Sequence, residues 1–382
     1  MPWTTARAAL SLALASTRRK VNVIFSGGEP LLEFPLLRKA VEYVEATKPG
    51  SRQCEYTLQT NGTLITPEVA DYLAARRVET FLSFDGVLPA QDLRARGTYA
   101  GLDDKLSWLG RRHREFLARD LIISLTVTPD NLPNLTGSVK YFIDKGVQRI
   151  KMGPVLTSVP GTADKPSAMM DRLRAQFEQL HELILKHFQN TGRIPVLLFR
   201  NEPASASRSH EMRSRSREQV MCSAVALDTP VVDVDGRIYG CVCMAGSIRH
   251  SPSEFLATRL APFAVGHIAS PQLEARWREY PLRTVNVDLF TCRNQKYSSW
   301  GRCRDCHLFD ECVVCPLATG YLPDNQDPHR VPDFVCAFNR VALDHAARFP
   351  SHPDARQVLL NPEWMREQMR PWRDLAASLS AE

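Results

Sequence analysis

Val21-Asn22-Val23-Ile24-Phe25, running directly into Ser26-Gly27-Gly28-Glu29-Pro30, is the stretch on which the fold turns. A short apolar, β-branched run that ends in two glycines and a proline reads as a strand closing in a tight loop. Downstream the pattern repeats, with strands expected at Glu55 to Gln59, Glu79 to Phe84, Leu121 to Thr128, Arg149 to Met152 and Ile194 to Phe199. Helices fall between them. One covers Leu36 to Val44 behind Pro35, and one covers Met170 to Phe188, where Met170, Leu173, Phe177, Leu180 and Ile184 recur at helical spacing. Strand and helix in alternation imply a parallel sheet or barrel. A helix over about Thr5 to Ala15 precedes the first strand, and in a βαβ unit such a helix crosses over from an earlier strand. Val21 to Phe25 is therefore expected as a free apolar edge, with an upstream strand and its loop lost.

With 382 residues, 44% hydrophobic and 24% charged, the chain is large enough for an α/β domain and a second module. The net charge of +6 is mild and the arginines are spread out, which argues against a nucleic-acid partner. No apolar run reaches the roughly 18 residues of a membrane span. The apolar stretch Ala8 to Ser16 is followed, not preceded, by Arg18-Arg19-Lys20, so an amphipathic helix is expected instead of an export signal. A cytoplasmic location follows as an expectation, and in a reducing compartment cysteines serve metals or catalysis more often than disulfides.

Nine of the ten cysteines lie between Cys222 and Cys336. The expected division is residues 1–200 as the α/β part, 201–219 as a linker, 220–345 as a cysteine-rich domain and 346–382 as a helical extension with a helix around Glu363 to Ser378. Arg208, Arg213, Arg215 and Arg217 fit a solvated connector. In the array, Cys222 is followed by thirteen residues, Gly236, four residues and Cys241; Asp235-Gly236 reads as a hairpin turn. Then comes Cys303-x2-Cys306-x5-Cys312-x2-Cys315 and, after twenty residues, Cys336. Thiolates spaced two apart reach one metal centre, and by spacing both zinc and iron-sulfur centres stay open. Cys54, inside a strand pattern, reads as an inert core thiol. His267 reads as a capped or surface histidine.

The Ser26 to Pro30 loop followed by Leu31-Leu32 resembles the GGEP motif of radical S-adenosylmethionine (SAM) enzymes. Gln59-Thr60-Asn61-Gly62-Thr63-Leu64, Ser83-Phe84-Asp85-Gly86 and Thr126-Val127-Thr128 with Asn131-Leu132 continue the likeness over about residues 5–200. The cysteine array is similar to the SPASM pattern, with one residue fewer between Cys312 and Cys315. The resemblance implies a partial (β/α)6 TIM-like barrel lacking its first strand, followed by a small SPASM-like domain. It implies SAM contacts from Gly27, Gly28, Glu29 and Pro30, with Asn61, Ser83 and Asp85 lining the SAM or substrate side. For those last three residues, turn capping stays open as the other reading. It further implies one auxiliary 4Fe-4S cluster on Cys303, Cys306, Cys312 and Cys336. Cys222, Cys241 and Cys315 would hold a second, with Cys243 or Cys292 as the candidate fourth ligand.

The implied activity is removal of a substrate hydrogen by a 5′-deoxyadenosyl radical, on a peptide or protein substrate, with a flavodoxin or ferredoxin as electron donor. The family's primary cluster needs a C-x3-C-x2-C loop, and the sequence contains no such triad. The expected form is therefore a peptide or protein maturase that lacks SAM cleavage as given. The alternatives are a non-catalytic iron-sulfur electron-transfer or scaffold relative and a zinc-stabilised binding protein. Val242 stands after Cys241, where the sulfatase-maturing branch carries an acidic base.

Overall fold

A computed structural model describes residues 1–155, 166–200, 227, 229–246, 263–284, 295–312, 314, 327 and 329–349. The linker and the C-terminal helix expected above lie outside the described residues. The main sheet has five strands in the order β1 (Lys20–Phe25), β2 (Gln53–Thr60), β3 (Glu79–Ser83), β4 (Leu121–Val127) and β5 (Ile150–Pro154). The register is parallel where β1 meets β2 (Val21↔Cys54, Phe25↔Leu58) and where β4 meets β5 (Ile123↔Ile150). Spatial order equal to chain order is what successive crossover helices produce. The expected sixth strand is reduced to one parallel bridge, Ile150↔Val196, after which Leu197–Arg200 coil into a 3-10 turn. The sheet is thus the parallel sheet expected from the βα repetition, and it is consistent with the partial barrel that the resemblance implies.

The chain divides into two compact units. The first takes in Met1–Phe81 with the described parts of Glu218–Lys296 and Cys315–Arg330. Its opening helix, α1 (Trp3–Ala15), ends where the Arg52 guanidinium donates to Leu14 O at 2.7 Å and Ser16 O at 2.6 Å, satisfying carbonyls the helix leaves open. Helix α2 (Phe34–Thr47) buries Leu37, Ala40, Val41 and Val44, an i, i+3, i+4, i+7 stripe whose larger members contribute about 1.5–3 kcal/mol each. Helix α3 (Pro67–Ala75) is N-capped by Thr66, whose hydroxyl accepts from Val69 N–H. The strands β6 (Val231–Val232), β7 (Arg237–Tyr239) and β8 (Ala264–His267) form an antiparallel sheet beside α9 (Leu273–Thr284). Ile238, Tyr239, Met244, Phe263, Val265 and Tyr280 make its core, and Leu12 of α1 packs on that core.

The second unit takes in Leu82–Arg217, Tyr297–Val314 and Val331–Glu382, again as far as described. Between β3 and β4 run α4 (Leu88–Ala95), α5 (Tyr99–Arg112) and α6 (Arg114–Arg119); α7 (Leu135–Asp144) leads to β5. Helix α8 (Pro166–Thr191) packs on α10 (Asp333–Ala346) through Phe177 and Phe338, ring centroids 5.5 Å apart. The short hairpin β9 (Tyr297–Ser298) and β10 (Gly301–Arg302) precedes the second cysteine group. Among the described residues no helix is long and apolar enough to cross a membrane.

Candidate cofactor and iron-sulfur sites

In the first unit, β1 delivers Ser26 to Pro30 at its carboxyl end, where α/β sheets bind ligands. Glu29 pins this loop to the end of β2. Its Oε1 accepts from Leu31 N–H at 3.0 Å and Thr60 Oγ1 at 2.8 Å, and its Oε2 accepts from Asn61 N–H at 2.8 Å. Ser26 adds a bond to Gln59 Oε1 at 2.8 Å. A carboxylate offers about four acceptor positions, so Glu29 retains capacity for an ammonium donor. Gly27 has φ +141°, and a Cβ placed at either Gly27 or Gly28 would meet nothing within 4 Å. The two glycines therefore expose backbone to open space, a cradle that suits a small polar ligand. Asn61 Oδ1 accepts from Thr63 N–H and Oγ1, the turn-capping arrangement.

Ser83 and Asp85 belong to the second unit. Ser83 ends β3 half-buried. Asp85 is 4% exposed, and its Oδ1 accepts from Arg94 NH1 and from Thr126 N–H, both at 2.9 Å. Burial pushes the Asp85 carboxyl up, against the lowering pull of Arg94 and of the Thr126 N–H. Gly86 has φ +109°, and a Cβ there would lie 2.1 Å from Ser138 Cβ. The Asp-Gly pair is thus a packed strut across β3 and β4. Arg94 is a member of this constellation that sequence reading missed; its nine-residue separation from Asp85 carries no periodic signal.

The cysteines fall into two places. In the first unit, Gly236 (φ +88°) turns β6 into β7 as expected, and a side chain there would collide with His267, at 2.7 Å from Nε2. His267 holds the same turn, its Nδ1 accepting from Ala269 N–H and its Nε2 facing Asp235 O at 2.8 Å. Beyond β7, half-buried Cys241 opens a 3-10 turn over Val242–Met244 that also carries exposed Cys243. A hydrogen bond from the Cys243 side chain, with the backbone N–H groups of Cys243 and Val242, holds the Cys241 thiol down at about 6 against burial. Cys222, Cys292 and Cys315 lie outside the described residues. Cys54, half-buried in β2, has its thiol pushed up by burial.

In the second unit, Cys303 and Cys306 sit on a 3-10 turn closed by Cys306 N–H to Cys303 O at 3.0 Å. Cys312 follows a turn closed by its own N–H to Leu308 O at 2.8 Å. Cys336 lies in the first turn of α10, and Ser299 ties the β9–β10 turn to that helix through Asp333. Cys336 Sγ lies 3.2 Å from Ser298 Oγ and close enough to Cys306 to be affected by its charge; Asn339 Nδ2 reaches Cys312 Sγ at 3.7 Å. None of the four is joined in a disulfide. Among the described residues no three His, Cys, Asp or Glu side chains come together as a single-ion set. Thiols on three segments of this unit, with Cys306 near Cys336 and Asn339 of the same helix reaching Cys312, are a donor type that suits an iron-sulfur cluster, whose ligands are spread over several iron atoms.

No family model matches the chain. It is 32% identical over 152 residues to an uncharacterized protein of Methanocaldococcus jannaschii, covering 39% of this chain and 51% of that protein. It is 28% identical over 72 residues to the radical SAM cyclopropyl synthase TigE of Paramaledivibacter caminithermalis, covering 19% of this chain and 15% of the synthase. The chain thus matches about half, or less, of the length of these curated relatives. Among solved structures it superposes on anSMEcpe with bound AdoMet and Kp18Cys peptide, with TM-score 0.66 and 18% identity over 91% of this chain and 89% of that one. In fold as in motif, the chain is similar to the radical SAM enzymes of the SPASM, peptide- and protein-maturing type.

Proposed function

We propose that the protein is a radical SAM/SPASM-type iron-sulfur oxidoreductase that modifies a side chain of a peptide or protein. The observation that carries this reading is the Gly27–Gly28 cradle, open above its backbone and fixed to β2 by Glu29. In this reading the Gly27 and Gly28 backbone binds the methionine moiety of SAM, with Pro30 holding the loop's exit and Glu29 accepting from the SAM ammonium. The chemistry of SAM cleavage would come from a reduced 4Fe-4S cluster with an open iron, whose C-x3-C-x2-C ligand triad this sequence does not carry. Cys303, Cys306, Cys312 and Cys336 would hold one auxiliary cluster. Cys222, Cys241 and Cys315 would hold another, with Cys243 or Cys292. These centres would accept the electron released on product formation, with a flavodoxin or ferredoxin as outside partner and the cytoplasm as location. Similarity to a fold solved with a peptide bound supports the substrate class.

The sequence carries no C-x3-C-x2-C triad, which favours a second reading, that these residues bind SAM and clusters without cleaving SAM. One experiment separates them. Anaerobically reconstituted protein is given SAM and dithionite; bound SAM with no 5′-deoxyadenosine supports the non-cleaving reading, and 5′-deoxyadenosine supports turnover by the chain itself. Absence of SAM binding, measured by equilibrium dialysis, overturns both.

A further inference from the structure

We propose that Ser298 and Asn339 are positioning residues that donate hydrogen bonds to two thiolates of the auxiliary cluster on Cys303, Cys306, Cys312 and Cys336, and so set its reduction potential. The inference rests on the cluster assignment made above. Ser298 lies on β9, 9% exposed, with its Oγ 3.2 Å from Cys336 Sγ. That oxygen already accepts from Trp300 N–H at 3.2 Å. With the thiol protonated, Cys336 donates to Ser298. Once iron takes the sulfur as thiolate, the bond reverses and the serine proton turns to the sulfur, because the Trp300 N–H can only donate. Asn339 follows Cys336 by one turn of α10, on the same face, and its amide Nδ2 donates to Cys312 Sγ at 3.7 Å.

The two donors come from separate segments and reach separate ligands, so neither is a by-product of the other. A hydrogen bond to a ligand sulfur favours the more negative, reduced cluster and raises its potential, because the added electron is shared onto the sulfurs. The sequence hides this relation, since Ser298 lies 38 residues from Cys336 and Asn339 lies 27 from Cys312.

The test is a dithionite titration of reconstituted full-length protein, followed by electron paramagnetic resonance on the reduced signal that Cys312→Ser abolishes. Ser298→Ala and Asn339→Leu are each expected to lower the one-electron reduction equilibrium constant roughly three- to tenfold, tenfold corresponding to about 59 mV. The double variant should show the sum, and Ser298→Thr should restore the wild-type potential. Electron-nuclear double resonance on the wild-type signal in D2O needs no variant, and it should show loss of exchangeable proton couplings. Unchanged potentials at full iron content, or no exchangeable coupling in the wild type, would overturn the proposal. A wild-type protein that takes up no cluster overturns the cluster assignment itself.

Discussion

The Asn61 N–H donates to Glu29 Oε2 at 2.8 Å, joining the loop after β1 to the end of β2. Together with the Thr60 hydroxyl and the Leu31 N–H, it gives one side chain command of both strand ends. Glu29→Ala strands these donors and is expected to cost roughly 1–3 kcal/mol in urea unfolding. Gly28→Ala separates folding from binding. Open space at its Cβ predicts an unchanged melting temperature, and a SAM-binding role predicts an affinity at least about tenfold weaker by equilibrium dialysis.

Asp85 and Arg94 should behave as a coupled pair. Either Asp85→Asn or Arg94→Met leaves a charge without its partner at a site where Asp85 is 4% exposed, at an expected cost of roughly 3 kcal/mol. The double variant should be less destabilised than the sum of the two, measured as a double-mutant cycle in urea. Additive costs would show that the two residues act independently.

Gly86→Ala is expected to destabilise by about 2–4 kcal/mol, combining a left-handed backbone with collision against Ser138. Ser138→Gly in the same chain should recover part of the loss. Circular dichroism melts of the single and double variants decide it.

Much of this was legible in the sequence because turn chemistry is local. The Gly27–Gly28 loop, the Asn61 turn and the Asp235-Gly236 hairpin each show in consecutive residues. The sixth strand was misjudged over Ile194 to Phe199. Pro195 has no N–H to extend the ladder, the Pro195 carbonyl accepts from Ile150 N–H, and the Arg200 guanidinium turns back to Ile194 O. Arg94, Ser298 and Asn339 were invisible for another reason: their partners are set by how elements pack, and neither a nine-residue separation nor one of tens of residues announces a contact.

Acid should loosen the α8–α10 contact in two stages. His181 is held down at about 4, first by burial and then by Arg348 and His345; burial also lowers His345. Glu178 is held down at about 2, first by its hydrogen bond with Arg348. A depressed histidine favours the neutral form in the fold, so its contribution is complete above its ordinary 6.5 and is lost as pH falls towards about 4. The Glu178 contribution is present above its ordinary 4.5 and is lost as pH falls towards about 2. Stability by urea unfolding should therefore fall with pH through both windows, and His181→Phe should flatten the first.

The most direct measurement is iron, zinc and acid-labile sulfide per chain in anaerobically reconstituted protein, with Mössbauer spectra of the iron. Two auxiliary clusters predict about eight iron and eight sulfide per chain, falling by about half in Cys336→Ala. Stoichiometric zinc with no labile sulfide would contradict the account.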